Sequence, residues 1–203
     1  MNLLLGYLRQ AGTAVRFLLL ATIVLGVLYP LAVFAAGQGI APFQANGSIV
    51  KDPTGRPAAS ALIVQAAGGK DGVQDARWFH ARPSAVGWDP ASSSASNLGP
   101  NDPKLLDAVT TSRSTVARAE GVSESEVPAD AVTGSGSGLD PDISLAYAKL
   151  QVTRVARAQG LSPVAVQGLV ERNTTSGLEA FWGQPSVNVT SLNLDVASAA
   201  KTK

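Results

Sequence analysis

The chain has 203 residues, 16 basic against 15 acidic, with no cysteine and a single histidine. Disulfides and thiolate metal sites are therefore excluded, and one imidazole leaves no second ligand for a multi-histidine zinc centre. With Arg9 and Arg16 set aside, 14 basic and 15 acidic residues remain without a basic block, which argues against nucleic acid as a partner. The length suits one apolar helix plus one folded domain that buries roughly two-thirds of its unfolded surface.

Residues 1–16 read as a short amphipathic lead on the cytoplasmic side. The run from Phe17 to Gly37 carries no charge over 21 residues. As a helix it spans about 31 Å, the thickness of a bilayer's hydrocarbon core. Pro30 is tolerable there, because neighbouring helices and local adjustment satisfy the freed backbone group. A cleaved secretory signal is the competing reading, with Val33-Phe34-Ala35 as the cleavage site, but the apolar run exceeds the roughly 7–15 residues of such a signal. Arg9 and Arg16 predict a cytoplasmic N-terminus and an extracytoplasmic domain, a bias that Lys51 and Arg56 weaken. Thr22, Gly26 and Pro30 recur every fourth residue, a spacing of small residues that lets a partner helix approach closely. The abundance of such residues in membrane helices explains the pattern equally well.

Residues 38–45 read as a juxtamembrane linker and 46–195 as the folded domain. Ser48–Val50 and Ala61–Val64 are predicted strands around the turn-rich DPTGRP, and residues 66–76 an exposed loop. An aromatic and cationic cluster follows over Arg77–Ser84. The first domain helix opens at Asn101-Asp102-Pro103 and ends before Gly121, with Leu105, Leu106, Val109, Val116 and Ala117 on its apolar face. The second starts near Ser144 and stops at Gly160, with Leu145, Ala148, Val152, Val155 and Ala156 inward. The third opens at Ser162-Pro163 and carries Val166, Leu169 and Val170. Val187–Val189 and Leu192–Leu194 are predicted strand, and residues 196–203 a disordered tail. The fold class is α/β or α+β, behind one N-terminal transmembrane helix.

The search for catalytic chemistry returns negatives. His80 sits among aromatic and cationic neighbours and reads as structural. Gly134-Ser135-Gly136-Ser137-Gly138 fails G-x-S-x-G, because neither serine has glycine on both flanks at two residues. It also fails G-x-G-x-x-G, and Gly69-Lys70 lacks the upstream glycine of a phosphate loop. Asp140 and Asp142 are candidates for acid/base or cation chemistry, and more readily for stabilising the helix start that follows. Gly134–Asp142 reads as a tightly shaped loop whose three alternating glycines allow backbone angles closed to other residues, so that Gly136→Val impairs folding or assembly while Gly69→Val is tolerated, against the alternative of a flexible Gly/Ser linker. No metal site and no cofactor of the chain's own is expected.

Several stretches in order carry a resemblance. They are Tyr29-Pro30-Leu31, Gln44–Ser48, Phe79-His80-Ala81-Arg82-Pro83-Ser84, Ser96-Asn97-Leu98-Gly99-Pro100 and the long run Val132–Pro141, which includes Gly138, Leu139 and Asp140. Gln151-x-x-Arg154-Val155-Ala156 and Gln184-Pro185-x-Val187-Asn188-Val189 complete the set. Together they resemble the KdpC family, the C subunits of Kdp-type potassium-transporting P-type ATPases. The resemblance implies a single-pass accessory subunit in a bacterial plasma membrane. Its implied partners are a potassium-binding channel-like subunit, an ATP-hydrolysing P-type subunit, optionally a further small membrane subunit, and membrane lipid. It also implies a catalytic chaperone that raises the pump's affinity for ATP, with Gln151 at the nucleotide and potassium carried by the partners. The residues themselves object: the predicted topology puts Gln151 outside, and a glutamine bonded to a neighbouring loop explains it as well. A membrane-anchored extracytoplasmic binding or assembly module unrelated to transport is the rival class.

Overall fold

The computed structural model describes residues 2–52, 54–65, 74–175 and 183–201. The chain forms two compact units, Met1–Ser48 and Ile49–Lys203.

The first unit is one long helical rod with a folded-back end. Helix α1 (Asn2–Ile23) passes through a π-helical turn (Val24–Leu28) into α2 (Tyr29–Ile40) without a break. Leu4–Ile40, 37 residues, is long and apolar enough to cross a membrane, and none of its apolar side chains is buried. At 1.5 Å per residue it measures about 55 Å, so the rod outruns the hydrocarbon core, and the lead up to residue 16 continues in the same helix. Proline accounts for the wide turn. Pro30 has no N–H and its ring crowds the carbonyl four residues back, so the ladder shifts by one and Tyr29 N–H donates to Val24 O instead. In a regular helix a four-residue spacing drifts around the axis; a wider turn holds more residues and draws Thr22, Gly26 and Pro30 back toward one line. All three are exposed.

The expected linker at 38–45 is a structured corner. Helix α3 (Pro42–Ala45) folds back so that the Ala45 Cβ lies 3.5 Å from where a Gly37 Cβ would stand. Gln38 and Asn46 lock the corner by exchanging amide hydrogen bonds of 3.3 and 3.0 Å.

The second unit is a mixed helix and small-sheet domain, within the predicted class. Strand β1 (Ile49–Lys51) pairs antiparallel with β2 (Pro57–Ser60). The second strand thus precedes the predicted Ala61–Val64, which bends away after Ser60. Helix α4 (Pro103–Glu120) starts at its Asp102 cap and ends at Gly121, whose φ of +72° is the left-handed stop that glycine allows. Two 3-10 turns (Glu124–Glu126, Ala129–Ala131) lead to β3 (Asp142–Ser144). Helices α5 (Leu145–Gln159) and α6 (Pro163–Arg172) begin at capping serines, Ser144 and Ser162, as their sequences predict. Strand β4 (Ser186–Asn188) pairs antiparallel with β3, and α7 (Val189–Lys201) closes the chain.

Three sequence expectations fail here. Leu192–Leu194 is helix, not strand, because Asn188 Oδ1 accepts the Ser191 N–H and Val189, Leu192 and Val196 all turn into the core. The supposed tail from 196 therefore continues as helix to Lys201, with Val196 fully buried. Leu106, placed on the inner face of α4, is 69% exposed, whereas Ala117 is buried. The core gathers α5, α6 and α7 around Phe79, Ile143, Val155, Val166, Val170, Val187 and Leu192. Most of the 66–76 loop, Gly69 included, lies outside the described residues.

Candidate functional site

The aromatic and cationic stretch at 76–82 joins no sheet, and from Trp78 onward it is half-buried to buried, so its backbone there must be bonded. Side chains from two helices take the place of neighbouring strands. Gln151 on α5 accepts the His80 N–H through Oε1 at 2.6 Å and donates to the His80 carbonyl through Nε2 at 3.1 Å. Asn193 on α7 does the same for Phe79, with bonds of 2.8 and 2.9 Å. Arg154, one turn beyond Gln151, donates Nη1 to the carbonyls of Ala76 and Trp78, and Gln159 reaches the Arg77 carbonyl. Each amide reads one residue's backbone as a strand would, and Phe79 between them is driven fully into the core.

Arg154 ties the brace to α4. Its Nη2 donates to Gln151 Oε1 at 2.7 Å and its Nε to Glu120 Oε1 at 2.9 Å, within a pair whose side chains are 10% and 2% exposed. Burial raises the Glu120 pKa, opposed by the Arg154 charge. Glu120 Oε2 has no hydrogen-bond partner among the described residues. Burial, helped by the Arg154 charge, lowers His80 to about 4, so the ring is neutral near pH 7, its Nε2 3.1 Å from the Asp75 carbonyl. The Tyr147 phenol is raised above its ordinary value, first by burial and then by Glu120.

The glycine-rich run is a second knot. Arg82 donates to Asp140 Oδ2 and to the Gly134 carbonyl, both at about 3 Å, and Ser84 Oγ donates to the Gly138 carbonyl at 2.7 Å. Pro83 accepts from Ser135 N–H, and Ser94 N–H donates to the Ser137 carbonyl. Inside the loop, Ser135 and Ser137 accept the Asp140 and Leu139 N–H groups. Leu139 is buried, its carbonyl accepting the Val64 N–H. These bonds give the run a defined shape. Its critical glycine is Gly138, at φ +73°, where a Cβ would stand 2.6 Å from Val86 Cγ2 and 2.8 Å from Ser94 O. Gly136, expected to be the sensitive one, has open space and no such φ.

The remaining motif residues are also structural in geometry. Asn188 caps α7 and donates to Ala61 O, Asn97 holds a left-handed turn at φ +52°, and Gly99 O accepts the Asp102 N–H just after Pro100. Asp140 and Asp142 do not cap α5. Ser144 does, accepting the Tyr147 N–H, and Asp130 fixes Ser144 through both carboxylate oxygens. No acid or histidine cluster able to hold a metal occurs among the described residues. The Gln151 amide holds a neighbouring loop segment, as the structural reading of that residue expects, whereas the Asn193 amide and the Arg154–Glu120 pair are features that sequence reasoning missed. The one available signal was the helical spacing of Gln151 and Arg154.

Comparison with known proteins covers nearly the whole chain. The family described as "KdpC: K+-transporting ATPase, c chain" matches residues 11–198. A potassium-transporting ATPase KdpC subunit of Kineococcus radiotolerans is 48% identical over 195 residues, 95% of each chain. Its counterpart in Caulobacter vibrioides is 43% identical over 192 residues, 94% of this chain and 92% of the relative. That of Mycobacterium tuberculosis is 45% identical over 190 residues, 92% of this chain and 96% of the relative. With its long apolar helix, its knotted glycine loop and a match from residue 11 to 198, this chain belongs to the KdpC family.

Proposed function

We propose that the chain is a non-catalytic, membrane-anchored subunit of an ATP-driven potassium uptake pump. The observation that carries this reading is an apolar rod of 37 residues with nothing buried along it, in a chain that matches its family over nearly its whole length. A helix so bare needs lipid or other helices around it. The partners are a potassium-binding channel-like subunit and an ATP-hydrolysing subunit, with a further small membrane subunit optional. Potassium passes through the partners, since the described residues offer one span and the sequence no charge between Phe17 and Gly37. The N-terminus faces the cytoplasm and the domain lies outside.

Within that complex the domain acts as a rigid accessory, and Gln151 serves as a brace. Its Oε1 accepts two hydrogen bonds, its Nε2 holds the His80 carbonyl, and its side chain is fully buried. This arrangement supports a structural role over direct contact with ATP. The alternative, a chaperone that raises ATP affinity, would then act through the assembled pump.

Two measurements test the proposal. Tagged chain should co-purify with two larger membrane subunits in fixed stoichiometry; purification alone under mild detergent would count against it. A cysteine at exposed Leu106 should react with a membrane-impermeant thiol reagent in cells with a permeabilised outer envelope, and one at Leu4 should not. Leu106 is a better probe than Asn97, whose left-handed backbone disfavours replacement. The reverse labelling would overturn the topology.

A further inference from the structure

The wide turn at Val24–Leu28 leaves backbone acceptors without donors. The residue that precedes a helical segment accepts that segment's first bond, so Leu28 N–H goes to Ile23 O and Ala32 N–H to Leu28 O. Tyr29 N–H goes to Val24 O, and Pro30 has no N–H to give. The carbonyls of Leu25, Gly26 and Val27 lie between, with Leu31 alone left to serve them. Leu25 O is six residues behind Leu31, beyond the reach of an α or a π bond. Leu31 N–H serves one of the other two, so Leu25 O and a near neighbour stay free.

Their depth gives this weight. Gly26 is nine residues beyond Phe17 and eleven before Gly37, roughly 13 Å and 16 Å along the rod from the ends of the uncharged run. Headgroups and bulk water lie beyond those ends, and acyl chains donate nothing, so protein must satisfy the carbonyls. The span cannot do so itself. Thr22 and Tyr29 are its only polar side chains. A helical threonine bonds backward, toward Leu18 here, and a rigid tyrosine ring carries its hydroxyl away from its own backbone.

The chemistry of the missing donor follows. A lysine or arginine would bring a charge into a span that carries no acid to pair with it. A carboxylate would meet carbonyl oxygens, and an apolar side chain would leave the acceptors free. A neutral hydroxyl supplies one bond. The amide of an asparagine or glutamine supplies two, enough for carbonyls one or two residues apart. Gly26 leaves the approach open: it has no side chain, and the nearest atom to where its Cβ would stand is Thr22 Cγ2, at 3.8 Å.

We propose that this turn docks a transmembrane helix of a partner subunit, through a neutral amide or hydroxyl side chain that donates to the free carbonyls at Leu25 and beside it. The proposal rests on the reading of the chain as a membrane-anchored pump subunit and names the chemistry of its partner within the bilayer.

Pro30→Ala tests it, because the restored N–H lets the ladder close as a regular helix and removes the free acceptors. In the assembled complex this variant should dissociate in mild detergent about tenfold more readily than the parent, with helicity by circular dichroism equal or higher. Benzoylphenylalanine in place of Tyr29, an exposed aromatic one turn beyond Leu25, should photocrosslink to a partner's membrane helix within one turn of an Asn, Gln, Ser or Thr. Replacing that partner residue with leucine should weaken association of the parent equally and add nothing to Pro30→Ala. If Pro30→Ala fails to accumulate, the partner substitution decides alone. Any of four results overturns the proposal: parent-strength association of Pro30→Ala or of the partner variant, crosslinks only to lipid or to a second copy, crosslinks to a helix without such a side chain, or additive losses. A parent chain that purifies without partners refutes the pump reading itself, whereas an assembled parent with an unaltered Pro30→Ala refutes only this docking.

Discussion

Replacing Gln151 with leucine separates a brace from a nucleotide contact. The substitution keeps the side-chain volume similar and removes both ends of the amide. The His80 N–H and carbonyl then lose their one partner among the described residues, and Arg154 Nη2 loses its acceptor. At about 1–3 kcal/mol for each buried backbone group left unpaired, the two His80 groups alone cost roughly 2–6 kcal/mol. For a chain of this size 1 kcal/mol moves Tm by about 2–4 °C, so the variant should melt about 10 °C lower. Lys149→Ala, on the exposed face of the same helix, should stay within about 0.5 kcal/mol. The assay is thermal unfolding of the full chain, followed by tryptophan fluorescence, alongside the Michaelis constant for ATP of the reassembled pump. A variant that melts with the parent yet raises that constant would refute the brace and place the amide at the nucleotide.

Four further outcomes are expected. Gly138→Ala should destabilise the domain by several kcal/mol, since its Cβ would overlap Val86 and the Ser94 carbonyl in a left-handed backbone, whereas Gly136→Ala should be nearly neutral; equal melting of the two would remove the case for a shaped loop. His80 gives a pH dependence of definite sign. Its folded pKa of about 4 lies below the unfolded value of 6.5, so stability is intact above pH 6.5 and falls as pH drops toward 4, by up to about 3 kcal/mol. His80→Gln should flatten that part of the Tm–pH curve, and an unchanged curve would assign the loss to other groups. Gly26→Leu should loosen subunit association in mild detergent more than Leu25→Phe does, because it fills the line that Thr22, Gly26 and Pro30 leave open. Arg154→Lys should destabilise the fold despite keeping the charge, since an ammonium cannot span Glu120, Gln151 and two carbonyls at once; a melting point within 2 °C of the parent, an allowance set by the roughly 2–4 °C per kcal/mol scale, would contradict this.

The elements legible from sequence are those whose signals are local. Asp102-Pro103, Ser144 and Ser162-Pro163 start helices because each cap acts on N–H groups within three residues of itself, and Gly121 and Gly160 stop them by entering the left-handed region themselves. The apolar rod is likewise a property of consecutive residues, and the ordered motifs placed the chain in its family without reference to any contact. Other features depended on partners far along the chain. Gln151 meets a residue 71 positions away and Asn193 one 114 away, and nothing near either amide says what it will hold. Leu192–Leu194 fits a strand or a helix by its apolar spacing alone; the Asn188 cap and the core that receives Val189, Leu192 and Val196 decide for helix. The same holds for the glycines. Their alternation marked a special loop, but only the approach of Val86 and Ser94 singles out Gly138, because a steric requirement for glycine belongs to the atoms around it and not to its neighbours in sequence.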